Sequence, residues 1–98
     1  MKPAKAVLPG GRWHFQHGPI DLIVSAEGDA DALLAAHAAA WQRFEGLLAE
    51  LVTELPRLRQ PVADGGHNPF QGLVARRMWA ACAPLREAAQ GYITPMAA

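Results

Sequence analysis

Apolar and polar positions alternate clearly from Arg12 onward. Trp13, Phe15 and His17 fall on one side and His14 and Gln16 on the other, the period of a half-buried strand. Gly18-Pro19 then marks a turn, because glycine accepts positive φ while proline fixes its own and lacks a donor. Ile20 to Ala26 supplies a second strand, with Ile20, Leu22 and Val24 on one face and Ile23 interrupting the polar face of Asp21 and Ser25. Two such runs around a tight turn predict a β-hairpin.

After Asp29 the period changes. Asp29 suits an N-cap, and Glu27 and Asp31 place negative charge at the positive end of a helix dipole. Leu33, Leu34, Ala38, Trp41, Phe44, Leu48, Leu51, Val52 and Leu55 recur at helical spacing, opposite Gln42, Arg43, Glu50, Thr53 and Glu54. One long amphipathic helix is expected, with Gly46 tolerated at a cost of about 1 kcal/mol and Pro56 ending it. A loop from Arg57 to Gly66 follows. Asn68-Pro69-Phe70-Gln71 predicts the start of a second, shorter helix with Asn68 as cap and Pro69 at its first position. Its apolar face runs through Val74, Met78, Ala81 and Leu85. Pro84 should break it, and Gly91 should stop what remains. Tyr92-Ile93-Thr94 predicts a further strand. The class is α+β. A hairpin and a lone strand leave sheet edges unpaired, so the chain reads as an incomplete two-layer domain. Residues 1–98 would form the N-terminal part of a single domain, and 1–11 a disordered lead.

Composition narrows the function classes. Half of the 98 residues are apolar, which excludes a disordered tail. Nine basic residues balance nine acidic ones, so no long-range field favours nucleic acid or an anionic membrane. The first eleven residues lack the apolar run of a signal peptide, and the alanine-rich stretch 35–40 is far too short to span a bilayer. The lone Cys82 suits a reducing compartment. A cytoplasmic location is expected, with neither membrane nor nucleic-acid partner.

Candidate chemistry is sparse. His14 and His17 would face opposite sides of a strand and could not share one ion, so no metal site is expected. His17, placed at the turn, could hydrogen-bond Asp21 or a ligand carbonyl. The 64–68 segment, from Asp64 to Asn68, puts polar donors before a helix start where phosphates bind. It lacks P-loop spacing, and turn formation accounts for its Asp and Asn. Arg76-Arg77 offers planar forks of donors suited to phosphate or carboxylate, against ion pairing with Glu45, Glu50 or Glu54. Cys82 has no cationic neighbour in sequence to activate it and reads as buried. Trp13, Trp41 and Trp79 lack the interleaved basic residues of a base-stacking surface. No nucleophile elbow or paired-ligand motif occurs, so no catalytic residue is identified.

Three segments in this order, the 15–22 run Phe-Gln-His-Gly-Pro-Ile-Asp-Leu, the 74–78 run Val-Ala-Arg-Arg-Met and the 92–98 run Tyr-Ile-Thr-Pro-Met-Ala-Ala, resemble a family of ApbE-like proteins related to the ApbE flavin transferase. The helix bearing Trp41 and Phe44 fits the same family. The resemblance covers residues 12–98 and implies the front part of a longer protein. In its full-length form that protein would bind a flavin or another small phosphate-bearing molecule, with magnesium handled only by the absent C-terminal part. His17, Asp21, Arg76, Arg77 and Thr94 would line part of the cleft, and a transferase activity would belong to the full-length relative. The rival expectation is a small non-enzymatic interaction domain, a homo-oligomer or one completed by a partner strand, as in β-augmentation.

Overall fold

Gly18 takes φ 56°. A positive φ at the first central residue, followed by proline, fits a type II′ turn, whose twist matches that of the strands it joins. The turn closes β2 (Arg12–His17) onto β3 (Ile20–Val24) with His17 opposite Ile20, Phe15 opposite Leu22 and Trp13 opposite Val24. The hairpin is as expected. The computed structural model describes residues 2–63 and 66–98, and its class is α+β.

One strand lies in the stretch expected to be a disordered lead. β1 (Ala4–Leu8) pairs antiparallel with β2, placing Lys5 opposite Phe15 and Val7 opposite Trp13, so the sheet order is β1-β2-β3. The connection 9–11 uses Gly10 at φ 83° and Gly11 at φ 72°, conformations that side chains resist. Arg12 Nε donates to the Pro9 carbonyl across it at 3.2 Å.

The chain divides into two compact units, Met1–Leu48 and Ala49–Ala98. In the first, α1 (Ala30–Glu45) packs on the sheet face that carries Trp13, Phe15 and His17. Asp29 Oδ1 accepts the Ala32 backbone N–H at 2.9 Å, the N-cap bond that the sequence anticipates. Phe15, 1% exposed, sits among the rings of His37, Trp41 and Phe44 at centroid distances of 5.6, 5.2 and 5.4 Å. His37 stacks on Trp13 at 3.8 Å. The Lys5 ammonium lies 4.9 Å from the Trp41 ring centroid, a cation–π contact that fastens β1 to the same cluster.

The expected single long helix is three. α1 ends at Glu45, Gly46 is its C-cap, and α2 (Leu47–Thr53) and α3 (Leu55–Leu58) follow. Gly46 ends the helix, because it supplies no side chain to hold the turn and gains the most entropy by leaving it. Pro56 does not terminate a helix but opens one, in the first turn of α3, where its missing donor is not needed.

In the second unit Leu58, Phe70 and Ala75 form the buried core, with Leu51, Met78 and Trp79 packed against it. The second main helix, α4 (Leu73–Cys82), starts later than expected, with Gly72 at its N-cap. Asn68 does not cap it. Its Oδ1 accepts from Phe70 N at 3.2 Å and its Nδ2 donates to the Arg76 carbonyl at 2.8 Å. The buried positions of α4 are Ala75 and Cys82, while Leu85, expected on the apolar face, is exposed. A 3₁₀ turn, Ala83–Leu85, replaces the α-helix at Pro84, the break that proline demands. The further strand expected at 92–94 is not formed. Among the described residues one backbone bond, Val62 N–H to the Ile93 carbonyl at 2.9 Å, stands where a ladder was expected, and a 3₁₀ turn (Pro95–Ala97) follows.

Candidate functional site

The five residues expected to line a ligand cleft are divided between the two units, His17 and Asp21 in the first and Arg76, Arg77 and Thr94 in the second. On the sheet, direct pairing puts Asp21 opposite Gln16 and His17 opposite Ile20, so Asp21 and His17 point to opposite faces. His14 is the histidine that bonds Asp21. Its Nε2 meets Asp21 Oδ1 diagonally across the outer face, where Asp21 is largely exposed. His17 turns inward, its ring 6.4 Å from that of Phe44, with Nδ1 buried and unpartnered among the described residues. The parity of the strands carried this signal already, since Asp21 shares a face with Gln16 and His14 once the two-residue turn fixes the register.

In the second unit Arg76 is used structurally. Its guanidinium donates to the Phe70 carbonyl at 2.9 Å, closing the 68–76 segment on itself. Arg77 is exposed. Thr94 offers its backbone, not its hydroxyl: its carbonyl accepts the Ala97 N–H at 3.0 Å and the Cys82 thiol at 3.4 Å. Cys82 is buried, as expected. Within each unit, no hydrogen bond or ion pair joins any two of these residues among the described ones. Asp64 and Gly65 of the 64–68 segment lie outside the described residues. Among the described residues no group of three or more His, Cys, Asp or Glu could hold a metal ion.

Each unit has a hollow with apolar walls. The first, about 270 Å³, runs between α1 and the sheet and is lined by Trp13, Val24, Leu33, Ala36, His37 and Ala40. The second, about 230 Å³, has Phe70, Trp79 and Pro95 as apolar walls and Arg57 and His67 at its polar side. Neither includes any of the five residues.

The most distinctive surface is the outer side of β3. The two-residue turn makes His17 and Ile20 a hydrogen-bonded pair, and such pairs alternate along the ladder. Ile20, Leu22 and Val24 therefore direct their backbone groups to β2, while Asp21 and Ile23 direct theirs outward. No backbone bond from another element of the same unit reaches that side among the described residues. Four of the five β3 residues are apolar, and Leu22 and Ile23 are 42% and 62% exposed. A bare edge of this kind is a template for another strand.

These features define a small α+β protein of two compact units with an open antiparallel sheet. The chain belongs to a small family described as AbpE bacteria, which matches residues 5–98. That finding corrects the expected kinship: AbpE and ApbE are different names, and nothing here points to the ApbE flavin transferase. No curated protein and no solved structure matches the chain. Among the described residues no helix is long and apolar enough to cross a membrane.

Proposed function

We propose that the chain is a non-enzymatic interaction module that extends its sheet, strand edge to strand edge, with a second copy of itself. One observation carries this reading: the outward backbone donors and acceptors of β3 have no backbone partner among the described residues, and apolar side chains are exposed beside them. Burying apolar surface supplies the driving force, and main-chain bonds supply direction. A five-residue strand pair lies well below the roughly 1,200 Å² that marks the weak, transient class of interface, so association is expected only at high protein concentration.

Size-exclusion chromatography with light scattering tests it. The mass should move from 10.5 kDa toward twice that value as concentration rises. A mass that stays at the monomer value over the whole soluble range contradicts the proposal.

A further inference from the structure

The two outer strands are not equivalent. β1 is flanked by Lys2, Pro3 and Pro9 and carries Lys5, the residues that natural sheets place on edges to block strand addition. β3 (Ile-Asp-Leu-Ile-Val) carries no lysine, and its one flanking proline, Pro19, lies in the turn to β2. We infer that the sheet is completed by a second copy of this chain added antiparallel along β3, with the two-fold axis passing through Leu22. This rests on the self-association reading above and names its surface and register.

The register follows from backbone parity and charge. Outward-facing Asp21 and Ile23 can pair only with outward-facing residues of the other copy, so the axis must pass through a residue and not between two. An axis through Asp21 sets two carboxylates directly opposite each other, which is destabilising. An axis through Ile23 slides the strands and sends Asp21 against Ser25, outside the strand. The axis through Leu22 pairs all five residues. Ile20 then faces Val24 of the second copy, Leu22 faces its own counterpart, and Asp21 faces Ile23 with backbone bonds in both directions. Like charges never meet, and Asp21 keeps its bond to His14 on the outer face. On the inner face Phe15 and Leu22, cross-strand partners in each copy, become one continuous apolar row. Leu22 loses its exposure there.

Cysteine substitution under oxidised glutathione reads the register directly. Across the axis the two Leu22 residues form a non-hydrogen-bonded pair with Cα atoms about 4.5 Å apart, inside disulfide range. The two Ile23 residues sit two positions out of register, roughly 8 Å apart and outside it. Leu22→Cys should therefore give covalent dimer at least about tenfold faster than Ile23→Cys or Asp21→Cys. The double variant Asp21→Cys/Ile23→Cys should also cross-link, because residue 21 faces residue 23 of the other copy. It probes the same register from the outer face if Leu22→Cys disturbs folding. Buried Cys82 serves as the background, and the native chain should not cross-link.

Faster cross-linking through Ile23→Cys or Asp21→Cys overturns the register. A dimer by light scattering with no cross-link from Leu22→Cys or the double variant overturns the β3 interface but leaves self-association standing. A monomer throughout overturns both.

Discussion

Phe15 and Phe44 show how far single residues determine the first unit. Both are almost wholly buried, and their rings lie 5.4 Å apart between the sheet and α1. Strand parity put Phe15 inward and helical spacing put Phe44 on the apolar stripe, so both were legible. Truncating a buried phenylalanine removes its transfer energy and leaves a cavity. Phe44→Ala should lower stability by about 3–5 kcal/mol in chemical denaturation. The His14–Asp21 pair was less legible. Proximity to the turn suggested His17, but side-chain contact across a hairpin follows face and register, not sequence distance. The Arg76 bond was out of reach for a related reason. A guanidinium suits a phosphate, and it suits a backbone carbonyl equally well when the local chain curls back to offer one.

Elements were predicted well where local pattern decides and poorly where distant partners decide. The hairpin, the Asp29 cap and the break at Pro84 are local, and each forms as expected. The α4 start is not local. Glu54 reaches across the sequence to accept the N–H groups of Gln71 and Gly72 at 2.9 and 3.0 Å, doing for α4 what Asn68 was expected to do. Glu54→Ala removes both bonds, one exposed and one part-buried, and should cost about 0.5–1.5 kcal/mol, seen as a lowered denaturation midpoint. β1 was missed because its side chains alternate only weakly. It becomes a strand by pairing with β2 and by the reach of Lys5 to Trp41. The strand expected at 92–94 had the right residue types and lacks a ladder partner. Gly46 is the remaining break. A Cβ there would meet nothing within 4 Å, and its φ of −94° suits alanine. Gly46→Ala should raise stability by about 0.5–1 kcal/mol in the same measurement, through reduced freedom of the unfolded chain.

For the whole molecule, the open side of the sheet sets the expected behaviour. The two-fold register makes a charge-specific forecast at Ile23. Glutamate there would face Asp21 of the other copy, and lysine would face it with opposite sign. Two symmetric cross-strand pairs, each worth about 0.2–1 kcal/mol, should make Ile23→Glu self-associate several-fold more weakly than Ile23→Lys in sedimentation equilibrium. A lysine that merely blunted the edge would weaken association as much as glutamate. The sequence already showed unpaired edges. It could not show which edge stays bare, because that depends on β1 occupying one side of β2 and leaving β3 outermost.

Amide hydrogen exchange as a function of protein concentration tests the central claim most directly. Protection at Asp21 and Ile23, whose N–H groups face away from β2, should rise as the protein is concentrated, while amides on the outer side of β1 exchange at an unchanged rate. If Asp21 and Ile23 exchange as fast in concentrated as in dilute solution, β3 is not where the sheet is extended.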